Sequence, residues 1–337
     1  MRVLCKATAF ACFLLTGAAA QADPVAEFYK GKQIRLVMPN SPGGSTTMYG
    51  MAVSEFWQKH IPGNPTIALE YRTGASGIAA SNYVYSAAPK DGTVMLMMIA
   101  GQLSQDLEPS GARYDAAKFS YIGRAADLPR AIVAWNASGL KSIEQAREKE
   151  YTMGAGSKGS ATWLHPALMN MLLGTKFKIV SGYSGAGPMY LALERHEVDS
   201  ASVGFEGLTT ARVDWLRDNK VTVLATVGSR PLAGHPNVPN LAALTKTPED
   251  REMIVYVQHH SDLGQVFVGP PDMHAERLQA LRRAFDATMR DPAFLAMAEK
   301  RKLEIIPQTG EELQAYAAKL AQRDEKMVNR LRKMVGE

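Results

Sequence analysis

Four times in this chain a short strand-like run ends in a turn of Gly, Ser and Thr that opens into apolar residues at helical spacing. The stretches are "QIRLVMPNSPGGSTT" (residues 33–47), "TIALEYRTGASG" (66–77), "YTMGAGSKGSAT" (151–162) and "KFKIVSGYSGAG" (176–187). A strand that runs into a helix and on into another strand of the same sheet must cross over, which makes the strands parallel. Such crossovers are right-handed, so the carboxyl ends of the strands gather at one edge, where α/β sheets bind ligands. This pattern restricts the chain to the α/β class.

The elements fall into two sets. Strands are predicted over 33–38, 66–71 and 93–99, the last apolar throughout as in a strand buried on both faces, with helices over 48–57 and through Ala79, Tyr83 and Ala87. A second set has strands over 130–135, 151–153, 176–180, 198–203 and 221–227. Its helices run over 163–173 and 188–195, and a further helix is opened by Ser142 with Gln145 as a capping box. Residues 265–268 read as a strand returning to the first set. The C-terminal third reads as helical, with Asp272 as one cap, Asp291-Pro292 as another start and Thr309 with Glu312 as a capping box. Two crossings predict a hinged clamp: one lobe of residues 23–127 plus 262–337, the other of residues 128–261.

Residues 1–22 stand apart. Arg2 and Lys6 precede an apolar run, and Ala20-Gln21-Ala22 forms a cleavage site, the pattern of a secretory signal peptide cut after Ala22. Both cysteines, Cys5 and Cys12, lie in that segment, so disulfides, thiolate catalysis and cysteine–zinc sites are not expected in the mature chain. No later run is long and apolar enough to span a bilayer, and a soluble periplasmic protein is expected. The formal net charge of +5 includes Arg2 and Lys6; the remaining basic residues are mixed with acids, as in 319–333. No basic stripe with interleaved aromatics is present, so nucleic acid is not expected as a partner.

The four turns carry the chemistry. Gly43 and Gly44 clear the path to backbone N–H groups, Ser45, Thr46 and Thr47 offer hydroxyls, and N–H groups at a helix start attract an anion. The first turn lacks the Lys of a phosphate loop and the spacing of a dinucleotide fingerprint, which leaves a carboxylate as the anion that suits it. A secreted α/β serine hydrolase is the alternative: "AGSKG" around Ser157 and "GYSGA" around Ser184 each depart from G-x-S-x-G by one residue, with Asp199, Asp214, His235, His259 and His260 as conceivable partners. The stretch "QHHSD" (His259, His260, Asp262), read as extended, would point its adjacent histidines to opposite faces and hold no metal. Trp163 and Trp215 read as core or rim, and Phe205 as either cleft lining or packing. No cofactor and no metal are expected.

The blocks "PNSPGGSTT", "EYRTGASG", "AAPKDGTVML", "YTMGAGSKGSATWLHPAL", "GYSGAGPMYLALERHEVD" and "VFVGPP", in this order and spacing, resemble the substrate-binding proteins of tripartite tricarboxylate transporters, the Bug-type receptors. The resemblance covers nearly the whole mature chain. It implies a two-lobed periplasmic-binding-protein fold (type II-like), two Rossmann-like lobes around a ligand cleft, without enzymatic activity. It implies a small organic carboxylate as ligand, delivered to membrane permease subunits on other chains by a receptor that works as a monomer. The ligand-binding residues it implies are Ser41, Pro42, Gly43, Gly44, Ser45, Thr46 and Thr47, then Gly156, Ser157, Gly159, Ser160 and Thr162. Gly74, Ala75, Ser76, Gly77, Tyr183 and Phe205 flank them. The first turn departs from the family's usual PGGGTD or PGGGYD: Ser45 replaces a Gly and Thr47 an Asp. The loss of that charge predicts a preference for carboxylates without an amino group.

Overall fold

A computed structural model describes residues 23–40, 42, 44–74, 77–99, 111–183, 185–322 and 324–335. The proposed leader, residues 1–22, lies outside them. The chain begins with α1 (Pro24–Tyr29), β1 (Gln33–Met38), α2 (Gly44–His60), β2 (Thr66–Tyr71), α3 (Ile78–Ser86), β3 (Val94–Ile99) and β4 (Ser120–Arg124). It then passes through β5 (Arg130–Trp135), α4 (Ile143–Glu148), β6 (Tyr151–Gly154), α5 (Ala161–Leu168), β7 (Phe177–Val180), α6 (Ala186–Glu194), β8 (Ser200–Gly204), α7 (Phe205–Thr210), α8 (Val213–Arg217), β9 (Val221–Val227) and α9 (Pro248–Leu263). It ends with β10 (Gln265–Gly269), α10 (Ala275–Arg290), α11 (Pro292–Lys300), β11 (Gln308–Thr309), α12 (Gly310–Ala321) and α13 (Glu325–Val335).

Two sheets result. The first has strand order β11-β4-β10-β3-β1-β2, the second β7-β6-β8-β5-β9. Alternation along each strand sorts side chains into a core on either face. In β1, Leu36 and Met38 join the core around Trp57, Phe267 and Phe285, while Val37 joins the opposite one with Leu96, Val266 and Val268. Trp57 anchors the first core, its ring edge-on to Phe285 at 5.4 Å and its Nε1 donating to Leu281 O at 3.2 Å. In β5, Ile132 and Ala134 face one core of the second sheet and Ala131 and Val133 the other. Helix α13 packs on α9, with Val328 and Leu331 in the second sheet's core.

The chain crosses between the sheets from β4 to β5 and back from α9 to β10, and these two crossings run side by side; α13 then returns to the second sheet's core. Gln265 N donates to Ala126 O at 2.8 Å and Leu128 N to Ser261 O at 2.7 Å. Gly264 has φ +50°, and a Cβ there would come within 2.6 Å of Asp127 Cα, so the close approach of the two segments requires glycine.

Several local expectations are corrected. The stretch holding His259 lies on α9, not on a strand; its apolar residues Met253, Ile254 and Val257 recur at helical spacing and pack into the core. Asp272 does not cap α10: it sits at φ +54° and pairs with Lys90, and His274 is the cap residue. At α4, Ser142 accepts from Gln145 N, but the Gln145 side chain accepts from Lys141 N, one residue short of a reciprocal box. The box at Thr309 and Glu312 forms in full.

Candidate functional site

A cleft of about 540 Å³ lies where α2 of the first sheet faces the strand ends of the second. Strands β6, β7 and β8 are mutually parallel, so their carboxyl ends share one edge. Strand β5 runs antiparallel to β8, with Arg130 paired to Gly204, so its amino end lies at the same edge. Ser45 and Met48 form the α2 wall. Opposite them are Gly156 and Thr162 of the β6–α5 turn, Tyr183 and Gly185 of the β7–α6 turn, Met189 and Tyr190 of α6, and Phe205 and Glu206 of α7.

Arg130 is the cation of this cleft. Its Nε donates to Ser202 Oγ at 3.1 Å and its Nη2 to Ser202 O at 2.7 Å. Among the described residues no carboxylate pairs with it; burial holds its pKa below the ordinary arginine value, with only the Tyr190 hydroxyl opposing. Ser202 Oγ also lies 2.7 Å from His165 Nδ1. A hydroxyl that accepts from Arg130 keeps a second lone pair and its own hydrogen, so it can pair with Nδ1 of either imidazole tautomer. Burial, reinforced by the Arg130 charge, pushes the His165 pKa down to about 3. His165 is therefore neutral at physiological pH.

Glu206 stands in the first turn of α7. Its carboxyl hydrogen-bonds to the Ser45 side chain across the cleft. Burial raises its pKa above the usual carboxylate range, the Ser45 hydrogen bond opposes that, and the Glu304 charge adds to it.

The second-lobe turn is closed upon itself. Gly156 N donates to Thr162 Oγ1 at 2.9 Å, Ser160 Oγ lies 3.1 Å from Thr162 Oγ1, and Tyr183 N donates to Ala155 O. A Cβ on Gly156 would press on both hydroxyls, at 3.0 and 3.1 Å.

Of the residues expected at the site, Ser45, Gly156, Thr162, Tyr183 and Phe205 line the cleft. Phe205 is buried there with His235 edge-on to its ring at 5.7 Å, so it both lines and packs. Ser41, Gly43, Ala75 and Ser76 lie outside the described residues. Gly44 is the first residue of α2 and takes helical backbone. Thr47 is buried, Thr46 half-buried and Pro42 exposed, and none of the three is on the cleft wall. Gly74 and Gly77 take positive φ (134° and 89°) in a turn closed by Gly77 N to Gly74 O, away from the wall. Ser157 is exposed, Gly159 buried at φ +86° and Ser160 half-buried, beside the wall and not on it. Arg130, Glu206, Ser202 and His165 were not anticipated. Their signals were a lone charge opening an apolar strand, and a charge directly after one in "SVGFEG".

Ser202 and His165 resemble a catalytic pair only in distance. The Ser202 oxygen already accepts from Arg130, and an imidazole titrating near 3 is a poor base at neutral pH. Among the described residues His165 Nε2 has no partner to orient it. Trp215 is core, edge-on to Tyr190 at 5.3 Å, and Trp163 packs half-buried on the second sheet's core. Among the described residues no group of three or more His, Cys, Asp and Glu could hold a metal, and no helix is long and apolar enough to cross a membrane.

Comparison with known proteins adds to this geometry. Residues 58–333 match the family described as tripartite tricarboxylate transporter family receptor, TctC. A UPF0065 protein from the gbd 5′ region of Cupriavidus necator is 24% identical over 321 residues, covering 93% of this chain and 92% of its own. Among solved structures, a TctC solute-binding protein from Polaromonas superposes with a TM-score of 0.68 at 19% identity, covering 91% of this chain and 99% of its own. The R. palustris protein Rpa4515, solved with adipate, superposes with a TM-score of 0.66 at 20% identity, covering 90% and 97%.

Proposed function

This chain belongs to the tripartite tricarboxylate transporter receptor family, and we propose on that premise that it captures a small organic carboxylate between its lobes through Arg130. It is a substrate-binding receptor of two α/β lobes and not an enzyme. The carrying observation is a half-buried guanidinium that lines the cleft and has no carboxylate partner among the described residues. A ligand carboxylate supplies the missing charge and accepts charge-assisted hydrogen bonds. Ser45, Gly156, Thr162, Tyr183 and Phe205 shape the site around it. A relative of the same fold is solved with adipate, and a small aliphatic acid suits walls of Met48, Met189 and Phe205. In this reading residues 23–127 with 262–322 form one lobe and 128–261 with the terminal helix α13 the other, the leader directs the chain to the periplasm, and the loaded monomer hands its ligand to permease subunits on other chains.

The test is a thermal-shift screen of residues 23–337 against small mono-, di- and tricarboxylates. A ligand at 100 times its Kd should add about 2.7 kcal/mol of stability. A carboxylate should stabilise the wild type and not Arg130→Gln; a screen in which no carboxylate stabilises the protein refutes the proposal.

A further inference from the structure

We propose that Glu206 selects the far end of the ligand, so that the cleft takes a carboxylate that also carries a protonated amine, its carboxylate on Arg130 and its ammonium on Glu206. This rests on the carboxylate reading above. Both residues line one cleft, and each lacks an opposite charge among the described residues. They do not neutralise each other. Ser202 holds Arg130 through two hydrogen bonds and the Tyr190 hydroxyl acts on it, while Ser45 and Glu304 act on Glu206. Two under-compensated charges of opposite sign, set apart in one partly buried space, match a dipolar molecule.

The surroundings of Glu206 favour a cation there. Among the described residues Ser45 is the side chain that acts on its carboxylate by hydrogen bonding, while a carboxylate offers about four acceptor positions. Glu304 contributes a second negative field, and burial already disfavours the ionised form. An ammonium brings the compensating charge with three donors, whereas a second carboxylate meets like charge. The site thus reverses the preference inferred from Thr47: that position is neutral and off the cleft wall, and the opposite lobe supplies the carboxyl.

Calorimetry on residues 23–337 with matched pairs tests this: butyrate and γ-aminobutyrate, succinate and aspartate, glutarate and glutamate, each against wild type, Glu206→Gln and Arg130→Gln. Gln keeps the size of Glu206 and an acceptor for Ser45 while removing the charge, and unliganded thermal unfolding checks that each variant folds. The wild type should bind the amino member of at least one pair about tenfold or more tightly. That ratio should fall towards one in Glu206→Gln, and Arg130→Gln should weaken both members. If amine-free members bind as well or better throughout, the role of Glu206 is overturned and carboxylate capture stands. If the preference persists in Glu206→Gln, selection lies elsewhere and the inference fails. If no member of any pair binds, both readings fall.

Discussion

Arg230 grips Asp127 with two parallel hydrogen bonds, Nε to Oδ2 at 2.6 Å and Nη2 to Oδ1 at 2.8 Å. Arg230 follows β9 in the second sheet, and Asp127 lies in the crossing that leaves the first. Nη2 also reaches Glu304 Oε2 at 2.6 Å, so one guanidinium ties both bodies together beside the hinge.

Truncating this clamp should cost more than a surface ion pair does. The Asp127 side chain is 6% exposed and that of Arg230 25%, so Arg230→Ala strands a buried carboxylate. The expected loss is on the order of 2–3 kcal/mol, discounted because Arg230 is partly wet. Asp127→Asn added to Arg230→Ala should recover part of it. Urea unfolding of the two variants measures both effects, and equal stability of the single and double variants would show that Asp127 is not the group left uncompensated.

Arg130→Met should separate stability from function. It removes a half-buried cation that lacks a carboxylate partner among the described residues, so the unliganded protein should hold or gain up to about 1 kcal/mol. Carboxylate affinity should drop by about 10- to 100-fold, the value of a charged hydrogen bond. Denaturation and calorimetry on one preparation report the two changes, and a variant that loses stability and keeps affinity contradicts the assignment.

Acid should destabilise the fold through two buried histidines. Burial sets His165 at about 3 and His259 at about 4, the latter raised slightly by the Tyr256 carbonyl. Both values lie below the ordinary one, so between about pH 6.5 and 4 the unfolded chain binds protons that the folded chain does not. Stability is therefore full above that window and falls as the pH drops, by about 2 kcal/mol per histidine at pH 5. Unfolding free energies at about pH 7.5 and 5 should differ less in His165→Gln than in wild type; an unchanged difference would remove His165 as a cause.

Gly207→Ala should act on the cleft through Tyr190. A Cβ at this position collides with the Tyr190 hydroxyl and comes within 3.1 Å of Cζ. Tyr190 lines the cleft and packs edge-on to Trp215, so its ring has little room to retreat. A loss of about 1–3 kcal/mol is expected, with weaker ligand binding. Tyr190→Phe in the same chain should restore part of the stability by removing the colliding oxygen. Melting temperatures of the single and double variants decide this.

By itself the sequence determined the local elements. The apolar run of β3, the Gly-bounded starts of α2 and α5, and the capping box of α12 depend on neighbours a few residues away, which a reader of the chain can see. The order of these elements also determined a parallel core in each sheet, because crossover connections leave few alternatives. Where the local signal was ambiguous the reading failed, as at α9, whose polar first turn and paired histidines hide an amphipathic helix. Only the tertiary structure decided the chemistry of the cleft. Arg130 reaches the binding edge because β5 pairs antiparallel with β8, and Glu206 meets Ser45 because two bodies far apart in sequence face each other. Those distances depend on sheet register and on the crossing at Gly264, and no spacing along the chain encodes them. The turns that were legible as anion grips are in part satisfied by their own hydroxyls, and the charges that line the cleft come from residues whose partners are chosen by packing.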